Sequence, residues 1–114
     1  MNVQTDFSIS ETASRGIPIL SISGEADVVT APQIRDALFA IVERSPTVVV
    51  DLSELSFVDS TALGVLVSGV KRLRNAGGDL RLVVTQPRIT KVFEITGLTK
   101  VFSIFGSVDQ AVTS

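Results

Sequence analysis

The chain has 114 residues, 45% of them hydrophobic and 19% charged, with a formal net charge of −2; this size and apolar content suit one packed domain over residues 1–114 and exclude disorder. His and Cys are both absent, which removes Ser-His-Asp and Cys-His nucleophile systems and zinc sites built on nitrogen or sulfur. The acidic balance, with no Trp, no Tyr and six Phe, argues against direct contact with nucleic acid, which wants a basic face and stacking rings.

Phe7-Ser8-Ile9-Ser10-Glu11 alternates apolar and polar, as a half-exposed strand does. Ala13-Ser14-Arg15-Gly16 supplies turn chemistry, and Ile17 to Ser23 is a second apolar strand, so an antiparallel hairpin is expected. Gly24-Glu25-Ala26-Asp27 then reads as an acidic loop. Thr30 is the expected N-cap of a helix with Pro32 in its first turn. Ile34, Ala37, Leu38, Ile41 and Val42 give that helix one apolar face, and Ser45-Pro46 ends it.

Thr47 to Leu52 is a β-branched run of the length and character of a central strand covered on both faces. A short acidic turn leads to a helix that opens on Asp59-Ser60-Thr61. Ala62, Leu63, Leu66, Val67, Val70 and Leu73 lay one apolar stripe along it. Lys71, Arg72 and Arg74 suit its negative end, and Gly77-Gly78 stops it. Leu80 to Thr85 is a further strand, Pro87 begins a helix that Gly97 ends, and Val101 to Phe105 is the last strand. Ser107-Val108-Asp109-Gln110 has the spacing of a capping box before a short closing helix.

The order ββαβαβαβα implies an α/β fold: a mixed, mostly parallel β-sheet, its hairpin strand antiparallel, with helices packed against it. All apolar runs fall far short of the roughly 20 residues that cross a bilayer. The N-terminal MNVQTDFSISET has neither the basic nor the apolar part of a secretory signal. No membrane insertion and a cytoplasmic location are therefore expected.

Two stretches carry candidate chemistry. Asp59-Ser60-Thr61 is by default the cap of a first helical turn; the functional alternative is an exposed hydroxyl awaiting modification. A phosphate there would add about −1.5 to −2 charge and three acceptor oxygens. The helix dipole would favour it, and Asp59, with Glu25 and Asp27 if they lie close, would repel it. Glu25 and Asp27 are by default solvated loop carboxylates. No glycine-rich phosphate cradle of either common pattern occurs.

The run from Asp51 to Leu66, DLSELSFVDSTALGVL, resembles the signature of the STAS domain, and in particular that of the anti-sigma factor antagonists. Gly24-Glu25-Ala26-Asp27 is similar to the family's early GE-x-D loop. Asn75-Ala76-Gly77-Gly78 is similar to its glycine stop, and Pro87 to Leu98 to its third helix and exit. The resemblance implies a protein with no reaction and no cofactor of its own. In the family a kinase-type anti-sigma factor binds the domain, passes phosphate from ATP to the serine after the aspartate, and lets go; a PP2C-type phosphatase restores the serine. That serine corresponds to Ser60. The partner-binding rim implied around it comprises Glu25, Asp27, Asp59, Thr61, Ala62 and Gly64. Ala62 departs from the family pattern, where many members carry glycine. Two other roles compete: a STAS scaffold subunit of a transporter or sensory complex that is never phosphorylated, and a Ser60 nucleophile activated by lysine, for which Lys71 stands at the wrong end of the helix. The oligomeric state is left open.

Overall fold

The structure, a computed structural model, describes residues 7–114. Residues 1–6, which open the run read for a secretory signal, lie outside the described residues. β1 (Phe7–Ser14) and β2 (Ile17–Ala26) form the expected antiparallel hairpin. Its two turn residues, Arg15 and Gly16, take positive φ values of 54° and 77°, the requirement of the tight turn whose twist matches paired strands.

β2 pairs with three other strands. β1 occupies one of its edges up to Gly24, and two parallel strands share the other: β3 (Thr47–Asp51) against Ile19–Ser21 and β4 (Leu55–Val58) against Gly24–Ala26. β5 (Asp79–Val83) pairs parallel with β3, and β6 (Ser103–Phe105) parallel with β5. The sheet is therefore mixed and mostly parallel, with the order β1-β2-β3-β5-β6 and β4 beside β2. The helices are α1 (Ala31–Val42), α2 (Ser60–Asn75), α3 (Pro87–Ile95) and α4 (Val108–Thr113), with a 3-10 turn at Leu98–Lys100. Among the described residues no helix is long and apolar enough to cross a membrane.

The valine run of β3 is wholly buried because both faces of the sheet are covered there. Val48 and Val50 point into the main core with Leu20, Ile22, Leu80 and Leu82, against Ile34, Leu38 and Ile41 of α1 and Leu66, Val70 and Leu73 of α2. Val49 points the other way, with Ile19 and Val83, and is covered by Ala111 and Val112 of α4. Phe93 of α3 meets Phe102 edge to face at 5.8 Å.

α2 sits where it does because its small residues allow it. A Cβ on Gly69 would lie 2.7 Å from Leu38 Cδ2, so α1 and α2 pack through that gap. The helix ends in a Schellman motif: Gly78 N–H donates to Leu73 O at 2.7 Å and Gly77 N–H to Arg74 O at 3.0 Å. Gly77, with φ at 85°, is the left-handed residue the motif needs.

Four local expectations need correction. Gly24-Glu25-Ala26 is not loop: β2 continues through it, because β4 supplies a partner there across a bulge at Gly24/Glu25. β4 itself was not anticipated. Thr30 makes no side-chain cap of α1, since its hydroxyl is turned back into the preceding loop. At α4, Ser107 Oγ accepts the Gln110 N–H as a cap should, but Gln110 Oε1 accepts from Gly106, not from Ser107.

Candidate functional site

The site lies at the carboxyl ends of the parallel strands β2 and β4, the edge where α/β sheets most often meet their ligands. Ala26 is the last residue of β2 and Val58 the last of β4, and they are partners in the ladder. The pairing is extended by one bond, Asp59 N–H to Ala26 O at 3.0 Å. The chain then turns into α2 with Asp59 in extended geometry as its N-cap.

Asp59 divides its carboxylate. Oδ1 accepts the Ala62 N–H at 2.9 Å, capping the first turn of α2, while Oδ2 accepts the Val28 N–H at 2.9 Å from the loop between β2 and α1. That loop is braced from within. Asp27 Oδ1 accepts from the N–H groups of Val29 and Thr30 at 2.9 and 3.1 Å. The buried Thr30 hydroxyl accepts the Asp27 N–H at 2.9 Å and donates to Glu25 O at 3.0 Å. With its polar groups turned inward, the loop displays two valines: Val28 is 63% and Val29 78% exposed. Phe57 on β4 is a third outward apolar group, 47% exposed. Of the four large exposed apolar side chains among the described residues, three therefore stand on the segments that frame the start of α2.

Ser60, the first residue of α2, is exposed, as are Thr61 and Gly64 on the same helix. A Cβ built on Gly64 meets nothing within 4 Å, so its lack of a side chain serves no contact inside the fold. The outward face of α2 thus runs through Ser60, Thr61, Gly64 and Ser68 without charge or bulk. Glu25 is exposed at the end of β2, opposite Phe57 in the ladder, and Asp27 is half-buried in its bracing role. Ala62 does not belong to the rim: it is 1% exposed and faces the core, since the third residue of α2 falls on the side of the helix turned to the sheet.

The sequence reading did not include Val28, Val29 or Phe57 in the site. Two adjacent β-branched residues between Asp27 and Thr30 were the available signal, because loop positions facing solvent more often hold polar or turn-forming residues.

A six-stranded mixed sheet, with an exposed serine as the first residue of a helix, defines a small α/β protein. The family model of the STAS domain matches residues 8–111, and the chain belongs to that family. It is 34% identical over 104 residues to the anti-sigma-B factor antagonist of Bacillus subtilis, covering 91% of this chain and 92% of that one. It is 39% identical over 84 residues to the anti-sigma-B factor antagonist of Listeria monocytogenes, covering 73% and 74%. Among solved structures, an anti-sigma factor antagonist from Mycobacterium paratuberculosis superimposes with a TM-score of 0.89 at 29% identity, over 99% of this chain and 97% of that one.

Proposed function

We propose that this protein is an anti-sigma factor antagonist whose partner is a kinase-type anti-sigma factor, and that phosphorylation of Ser60 switches the contact off. The protein binds and is modified; it carries out no reaction of its own, and it acts in the cytoplasm. The observation that carries the reading is the exposed Ser60 at the head of α2, next to a loop, hydrogen-bonded within itself and to Asp59, on which Val28 and Val29 stand out to solvent.

The surroundings of Ser60 support a switch that acts at the surface. The Ala62 and Leu63 N–H groups of the first turn are already engaged by Asp59 Oδ1 and Asp59 O. A phosphate on Ser60 would meet the neighbouring carboxylate and not a vacant cap, so its charge of about −1.5 to −2 would stay outward. Partner apolar groups seated on Val28 and Phe57 would then face a strongly hydrated dianion, whose desolvation opposes docking. The fold itself has little reason to change, because no core residue is touched. A PP2C-type phosphatase would return the protein to the binding form.

The test is to incubate the purified protein with the kinase-type anti-sigma factor of its host and ATP, then map the phosphate by mass spectrometry. Phosphate on Ser60 with release of the partner is expected. A phosphate placed elsewhere, or partner release without any phosphate, would defeat the proposal.

A further inference from the structure

We infer that the groove between the first turns of α1 and α2 receives an apolar side chain of the partner, and that Arg35 selects a partner segment carrying a carboxylate beside that anchor. The inference rests on the reading of Ser60 given above and adds the chemistry of the partner segment that docks next to it.

The groove has a volume of about 370 Å³ and is lined by Val28, Ala31, Pro32, Arg35, Thr61 and Val65. Thr61, which follows Ser60 in the first turn of α2, is part of the lining, so the proposed phosphoacceptor stands one residue from the groove wall. Its walls are almost wholly aliphatic, and Val28, the side chain at its lip, is 63% exposed. An open, apolar channel between two helices suits an amphipathic segment laid along it.

Arg35 is the one charged residue in the lining. Its guanidinium carbon stacks 4.5 Å from the Phe39 ring centroid, one helical turn on, and the Arg72 guanidinium lies 5.0 Å from the same ring. Among the described residues the ion pairs are Arg44–Glu11, Arg72–Glu43 and Arg74–Asp79, and none involves Arg35. Stacking fixes the plane of a guanidinium while leaving its edge N–H groups directed outward, the geometry that takes a carboxylate in a forked pair. At the Val28 end of the groove the charges are opposite: Asp27 precedes Val28 in the chain, and Asp59 Oδ2 accepts the Val28 N–H. The groove thus has carboxylates beside Val28 and a stacked cation, Arg35, within one apolar lining. A partner segment with a carboxylate next to its apolar anchor matches that arrangement; one with a basic residue there places like charges together, which specificity devices exploit.

The experiment measures the affinity of the full chain for the purified kinase-type anti-sigma factor of its host by titration calorimetry, with phosphorylation of Ser60 followed in parallel. Arg35→Glu is expected to weaken binding by about tenfold or more, Arg35→Gln less, and Val28→Ser by several-fold, with circular dichroism unchanged. Reversing a carboxylate of the partner to arginine should restore affinity for Arg35→Glu. An affinity of Arg35→Glu within about twofold of the parent, when the parent binds and Ser60 is phosphorylated, overturns the groove assignment and leaves the switch standing. Failure of the parent chain to bind that partner at all refutes the reading of Ser60, and the groove assignment with it.

Discussion

Asp59 accepts a hydrogen bond from the backbone of Val28, 31 residues earlier, at 2.9 Å. The same carboxylate caps α2 through Ala62 at 2.9 Å. One side chain therefore fixes both the helix entrance on which Ser60 stands and the loop that exposes Val28 and Val29. Losing an N-cap costs about 1 kcal/mol, and the exposed bond to Val28 adds a smaller amount. Asp59→Ala should lower stability by about 1–2 kcal/mol in urea unfolding with an unchanged m-value. Asp59→Asn, which keeps one acceptor oxygen, should lose less than Asp59→Ala.

Thr30 holds the loop from beneath. Its buried hydroxyl serves the Asp27 N–H and the Glu25 carbonyl at 2.9 and 3.0 Å. Thr30→Val keeps the shape but leaves both backbone groups without that partner, and should cost about 1–3 kcal/mol. The loss should appear in urea unfolding, and amide exchange at Val28 and Val29 should quicken if the brace is local.

Two glycines of α2 should answer the same substitution with opposite signs. Gly64 faces open space, so Gly64→Ala should stabilise the helix by up to about 1 kcal/mol through propensity alone. Gly69 faces Leu38, whose Cδ2 lies 2.7 Å from an added Cβ and is fully buried. Gly69→Ala should therefore destabilise, by about 1–3 kcal/mol from overpacking. Thermal unfolding of the two variants checks the pair. A loss of partner affinity in the more stable Gly64→Ala would mark that position as part of the contact.

Much of the fold was legible because local and tertiary preferences agree. The buried valines of β3, the apolar stripe of α2 and the capping aspartate before it each carry a strong local signal, and each element formed where it was expected. β4 did not show, because Leu55–Val58 buries its two ends and exposes its middle, an i, i+3 spacing that lacks the alternation of a strand. It is a strand only because the far end of β2 is there to pair with it, and Gly24-Glu25-Ala26 is strand only because β4 is there. That mutual dependence spans about thirty residues and leaves no trace in either segment alone. The same holds for the site. Ser60 and Asp59 could be placed from neighbours in sequence, whereas the division of labour between Asp27 and Thr30, and the exposure of Val28, Val29 and Phe57, arise from contacts between segments. Ala62 was misplaced because family position, and not helix phase, put it on the rim.

The central claim is tested most directly by following a single phosphate. Parent protein, Ser60→Ala and Ser60→Asp are each mixed with the kinase-type anti-sigma factor, affinity is measured before and after ATP, and the phosphate is mapped. The expected result is tight binding by the parent until ATP adds one phosphate at Ser60, binding by Ser60→Ala that ATP does not relieve, and weak binding by Ser60→Asp from the outset. All three should unfold within about 0.5 kcal/mol of one another, since the hydroxyl is exposed. Release of Ser60→Ala by ATP, or phosphate on another residue of the parent, would contradict the assignment.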